Sequence, residues 1–264
     1  MAEVSRHNPG SFSWAELATS DAPAAKKFYT SLFGWRVEDN TFGSGPDDVY
    51  TRLQIAGKDV GALYPMRPEQ RQQGVPPNWL PYVTVERADD AAAKAKALGG
   101  NVLMEPFDVM TYGRMAVLQD PSGATLAVWE PREHIGAQRV GENGAFCWME
   151  LMTRDAAAAG KFYAALFGWT LKPSSFDGSY TELWQGDAPI GGMMAITPEM
   201  GPMPSYWGVY WQVGDVDASA AKAKSLGAKV MVGPQDIPTV GRFAALQDPQ
   251  GAVFSIFKPA EGQG

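Results

Sequence analysis

Glu16, in the stretch FSWAEL, and Glu150, in FCWMEL, hold matching places in two copies of one pattern. Each follows a tryptophan, Trp14 or Trp148, by two residues, so in an extended strand carboxylate and indole share a face. A carboxylate turned into an apolar interior is costly unless it is paired, hydrogen-bonded or protonated. Its chemical uses are then a general base of raised pKa, or an acceptor for a ligand's hydroxyl or amine. The structural alternative is a pair with an arginine such as Arg52, Arg114 or Arg242. The last two follow glycine in GR pairs, where they serve either as partners for an anion or enolate or as surface anchors. The remaining inventory is thin. His7 and His134 are the only histidines and Cys147 the only cysteine, so no nucleophile–histidine pair and no cysteine cluster exists. DPSG and DPQG read as tight turns, not as phosphate loops.

The elements that must position these residues repeat. FYTSLFGW at 28–35 returns as FYAALFGW at 162–169, and GRMAVLQDPSGA from Gly113 returns as GRFAALQDPQGA from Gly241. Repetition on this scale sets the architecture. Each half opens with an alternating strand, in which Phe12, Trp14 and Glu16 are expected on one side and Ala15 and Leu17 on the other. Asp21 and Asp155 stand at helix N-caps, and Gly34 and Gly168 close those helices. Trp35 and Trp169, just beyond, are expected to plug helix against sheet. Each half then restarts with a strand, an acidic cap, an alanine-rich helix and two more strands. The chain thus holds four β-α-β-β-β units: a tail (1–10), a first domain (11–131), a polar linker (132–144), a second domain (145–259) and a tail (260–264).

Strand, D-x3-5-[KR]-FY-x2-LFGW, a capped alanine helix ending in LG, then GR-x5-DP-x-GA resembles the vicinal oxygen chelate superfamily. That group includes glyoxalase I, bleomycin-resistance proteins and extradiol dioxygenases. The resemblance covers nearly the whole chain, twice. It implies an α+β fold of two tandem vicinal oxygen chelate domains, each from two β-α-β-β-β units forming an incomplete eight-stranded barrel around a concave ligand site.

Metal-dependent members hold a divalent ion through His, Glu or Gln side chains from four strands. Carried over by motif, those positions fall on Trp14, Gln54, Leu80 and Ala127 in the first domain, and on Trp148, Trp184, Gly208 and Ser255 in the second. Neither set supplies the several donors a divalent cation needs. No metal and no other cofactor is therefore expected. A site of carboxylates around Glu16 or Glu150 would depart from the pattern.

With Trp14 facing the cavity, strand parity brings in Glu16, Tyr82 and Trp129, with Gln54 nearby. The second cavity gains Trp148, Glu150, Trp184, Tyr210 and Phe257. Arg52 is matched by Glu182, so the two cavities differ electrically. Three functions remain open. The first is a metal-free binder of a small, aromatic or carbonyl-containing metabolite. The second is a metal-independent glyoxalase-like lyase or isomerase, with Glu16 or Glu150 as general base and Arg114 or Arg242 facing the enolate. The third is a scaffold with unused cavities. The net charge of −7 disfavours nucleic acid or an anionic membrane as partner. No apolar run reaches spanning length and no signal-peptide pattern opens the chain, which points to the cytoplasm. The expected state is a monomer, as an internal pseudo-dimer, or a homodimer.

Overall fold

In each half, alternating apolar strands and two capped helices assemble one open sheet. The computed structural model describes residues 3–45, 48–175 and 178–260. The first half runs β1 (Phe12–Thr19), α1 (Ala22–Phe33), β2 (Arg36–Thr41), β3 (Val49–Ile55), β4 (Lys58–Pro65), a short α2 (Pro68–Gln72), β5 (Asn78–Thr84), α3 (Ala88–Ala97), β6 (Asn101–Val109), β7 (Gly113–Gln119) and β8 (Thr125–Pro131). The second runs β9 (Phe146–Thr153), α4 (Ala156–Phe167), β10 (Thr170–Pro173), β11 (Thr181–Gln185), β12 (Ala188–Ala195), a 3-10 turn (Pro198–Met200), β13 (Tyr206–Gln212), α5 (Val216–Ser225), β14 (Lys229–Ile237), β15 (Gly241–Gln247) and β16 (Val253–Pro259). Among the described residues no helix is long and apolar enough to cross a membrane.

Of the four helices read from the sequence, three start at the expected acidic cap. Asp21 and Asp155 accept from the amides of Ala24 and Ala158, and Asp215 caps α5 in the same way. At α3 the capping place holds Arg87, and Glu130 of β8 accepts from the Ala88 amide instead. A tertiary contact there replaces a local one. Gly34 and Gly168, at φ 74° and 77°, close α1 and α4.

The strand order is β2-β3-β4-β1-β5-β8-β7-β6 in the first sheet and β10-β11-β12-β9-β13-β16-β15-β14 in the second. The two β-α-β-β-β units of each domain join through their opening strands, with β1 antiparallel to β5 and β9 antiparallel to β13. Each sheet ends in free edges and stays open, as an incomplete barrel must.

One parity expectation fails, for a physical reason. Phe12 pairs with Val83 while Trp14 pairs with Tyr82, so Ser13 is an extra, bulged residue. The same shift between Tyr210 and Trp211 makes Cys147 the extra residue in the second domain. Each bulge turns its phenylalanine away from the indole that follows. Phe12 packs at 5.2–5.3 Å on Trp169 and Trp207 of the other domain, and Phe146 packs on Trp211.

These contacts belong to an aromatic interface between the convex faces of the two sheets. Trp211 lies 4.9 Å from both Trp35 and Trp79, ring centre to ring centre. Trp35 and Trp169 do more than plug their helices, because their indoles donate to Gly144 O and Gly10 O, both at 2.7 Å. The lysines of the alanine-rich helices reach across as well. Lys94 donates to Leu166 O and Lys222 to Leu32 O, at the carbonyl ends of α4 and α1. The stretch read as a polar linker is packed, with Ala137 buried and bonded to Ser13 O. With the convex faces joined, each concave face is directed away from the other domain.

Candidate functional site

Glu16 sits on the concave face of the first sheet with a phenol on each oxygen. Tyr82 Oη donates to Oε1 at 2.6 Å and Tyr50 Oη to Oε2 at 2.9 Å, while Trp14 Nε1 donates to Tyr50 Oη at 3.0 Å. The second bowl repeats the arrangement. Tyr210 Oη donates to Glu150 Oε1 at 2.7 Å, Tyr180 bonds the same carboxylate, and Trp148 Nε1 donates to Tyr180 Oη at 2.8 Å. Each carboxylate therefore holds neutral donors instead of the arginine partner weighed from sequence.

Burial pushes both carboxyls above the usual range, against the opposing pull of the phenols and, at Glu16, of the Arg67 charge. A carboxyl raised by folding binds its proton more tightly in the folded state. Its contribution to stability is therefore full below the ordinary value of 4.5 and is lost as pH rises through the raised one. The double variant E16Q/E150Q removes that loss. It is expected to melt several degrees above the parent at pH 8, with the gap closing toward pH 4. Parallel melting curves across that range would contradict the buried-carboxyl account.

The other expected site residues are less closely joined. Gln54 donates to Glu38 and Asp59, and Arg52 pairs with the same two carboxylates. Trp129 donates to His134 O at 2.8 Å. Trp184 donates to Glu182 at 2.9 Å and carries Lys172 Nζ 3.5 Å above its ring. Phe257 lies opposite Phe243 on β15. Arg114 and Arg242 are not brought to either carboxylate. Met115 Sδ lies 3.8 Å from Tyr82 Oη, so its neighbour Arg114 faces outward, bonded to Asp89 and Asp108. Arg242 does the same with Asp217 and Asp236. The enolate-partner expectation for these arginines is corrected: strand parity turns them to the helix side.

Sequence reasoning missed Tyr50, Tyr180 and His134. Tyr50 lies four residues before Gln54, so the parity argument already in hand reaches it, and Tyr180 follows by repeat. His134 had no such signal. Its ring stands edge-on over Trp14 at 4.9 Å, with Nε2 3.4 Å from Asp59 Oδ2, because the linker folds back over the first bowl.

The positions implied for a metal are poor in donors. Trp14, Gln54, Leu80 and Ala127 offer one donor side chain, and Gln54 is already bonded to two carboxylates. Trp148, Trp184, Gly208 and Ser255 offer only the Ser255 hydroxyl. Among the described residues no three His, Cys, Asp or Glu side chains converge on a cation position. These residues do not fit the divalent ion.

Residues 11–128 match the Glyoxalase/Bleomycin resistance protein/Dioxygenase superfamily, and residues 148–257 match the glyoxalase-like domain. The chain belongs to this superfamily, as two tandem domains. Among its relatives is the Mycobacterium tuberculosis (strain CDC 1551 / Oshkosh) protein named "Putative glyoxylase CFP32", 43% identical over the full length of both chains. The anthracycline biosynthesis protein DnrV of Streptomyces peucetius is 36% identical, covering 98% of this chain and 97% of its own. The Mn(II)-bound glyoxalase of Novosphingobium aromaticivorans shares the fold at TM-score 0.65 and 16% identity, over 95% of this chain and 82% of that one. The 2,3-dioxygenase LapB of Pseudomonas sp. KL28 does so at 0.65 and 13%, over 98% and 94%.

Proposed function

We propose that the protein binds a small planar metabolite, aromatic or carbonyl-containing, in its tryptophan- and tyrosine-lined concave face, without a metal ion. The observation that carries this reading is the carboxylate held by two phenols and no cation, with an indole behind them, built twice. Aromatic walls with a few fixed polar groups suit a flat ligand that offers a hydrogen bond. The relationship to a protein of anthracycline biosynthesis supports a polycyclic aromatic class. The same reading makes the chain a cytoplasmic protein acting through a small molecule, with neither nucleic acid nor membrane as partner, as a monomer or homodimer.

Titration with 1,4-dihydroxyanthraquinone is expected to quench tryptophan fluorescence saturably. E16Q/E150Q should weaken that binding ~10-fold, because an acceptor is replaced by a group that also donates. Absence of quenching by this compound and by related planar phenols would sink the reading.

The raised carboxyls favour a second reading, a glyoxalase-like lyase or isomerase in which Glu16 or Glu150 takes a proton beside a carbonyl. The relative named as a glyoxylase supports it. With the arginines outside the bowls, the phenols are the donors left to face an oxyanion. Turnover lost in E16Q or E150Q, with ligand affinity kept, would single out this reading over binding alone.

A further inference from the structure

The two bowls repeat each other, but their floors differ. Across the first sheet one row of paired residues reads Glu38, Arg52, Ala62, Glu16, Leu80. The corresponding row of the second reads Lys172, Glu182, Gly192, Glu150, Gly208. Glu150 thus stands between two glycines where Glu16 stands between alanine and leucine.

The glycines have different causes. A Cβ on Gly192 would collide with the Tyr180 hydroxyl, so that glycine seats the phenol that bonds Glu150. Gly208 has no such reason. Its Cβ would meet only Tyr206 Cε2 at 3.6 Å and Glu150 O at 3.7 Å, ordinary contacts, and its φ is not positive. A strand glycine that neither backbone nor neighbours require weakens its strand, so the space itself is what it supplies.

Exposure separates the bowls in the same sense. Trp14 and Glu16 are 4% and 8% exposed, beneath the linker that carries His134. Their counterparts Trp148 and Glu150 are only half-buried, whereas Tyr50 and Tyr180 are half-buried alike. The first bowl also has its charged groups tied together in the Arg52–Glu38–Asp59 network. In the second, the corresponding places hold Lys172 and Glu182, with Lys172 over the Trp184 ring.

We propose that the second bowl alone receives the ligand, and that Gly208 determines its specificity by leaving room beside Glu150 for a head group that donates a hydrogen bond. A hydroxyl or protonated amine on the edge of a planar ligand meets that requirement. The aromatic walls of Trp148, Tyr206 and Tyr210 then flank its flat body. This assignment rests on the binding function proposed above and names the bowl and the group it recognises.

The test is titration of the whole protein with 1,4-dihydroxyanthraquinone, with melting temperatures measured in parallel. G208L puts in the second bowl the residue that the first carries as Leu80. It is expected to weaken binding ~10-fold or more without lowering the melting temperature. G208A, which adds only a Cβ in ordinary contact, should weaken binding less. Parent affinity in both Gly208 variants, with binding intact in the parent, overturns the assignment and leaves the binding function standing. Affinity that moves with L80G and not with G208L overturns it in favour of the first bowl. No binding by the parent removes both.

Discussion

Trp211→Ala is expected to destabilise the chain by ~3–5 kcal/mol, the range for truncating a large buried aromatic. Trp211 is fully buried at the middle of the interface between domains, against Trp35 and Trp79 at 4.9 Å, Phe33 at 6.0 Å and Phe146 at 6.4 Å. Gly61 faces the Trp211 ring, and a Cβ there would come within 3.3 Å of it. No hydrogen bond holds the indole nitrogen, so the contribution is packing, and neither sheet can close the hole without parting from the other. Urea unfolding reads the loss directly. Because the bowls open on the opposite faces, ligand affinity well below the melting temperature should change little. A loss under ~1 kcal/mol would mean that the interface is loosely packed.

Asp248→Ala should cost ~3 kcal/mol or more, through unmet hydrogen bonds instead of lost volume. One carboxylate oxygen accepts from the amides of Gln250, Gly251 and Ala252 at 2.8–2.9 Å and fixes the turn after β15. The other accepts from Tyr29 Oη of the first domain at 2.9 Å, and Trp79 Nε1 donates to that same phenol at 3.0 Å. Removing the carboxylate leaves buried donors in both domains without an acceptor. D248N keeps an oxygen for the turn amides and should lose clearly less. Equal losses in D248A and D248N, measured by urea unfolding, would show that the contact between domains dominates the turn.

The relay of indole, phenol and carboxylate at Asp248 has the same chemical form as those at Glu16 and Glu150, yet its purpose differs. Asp248 also secures three turn amides, and Asp120, beside Tyr163 in the pseudo-symmetric place, accepts from Ser122 and Ala124. Those bonds account for a buried acid as part of the fold. Glu16 and Glu150 carry out no such backbone task in the bonds described.

The sequence by itself determined the repeat, the two domains, three of the helix caps and the placing of Glu16 with Tyr82 and Glu150 with Tyr210. All of these follow from periods and spacings within one element or between its two copies. The superfamily was legible because FYTSLFGW and FYAALFGW keep their order relative to the GR and DP-x-G motifs. Tertiary structure decided what depends on meetings between distant elements. A bulge at Ser13 sent Phe12 to the interface, Glu130 replaced a missing cap, and the linker laid His134 on Trp14. It also turned Arg114 and Arg242 outward to helix carboxylates, and it set Gly208 beside Glu150, which lies 58 positions earlier in the chain. Short-range periodicity fixes which side of a strand a residue takes. Which partner waits on that side is fixed only when the sheets curl and the two convex faces meet.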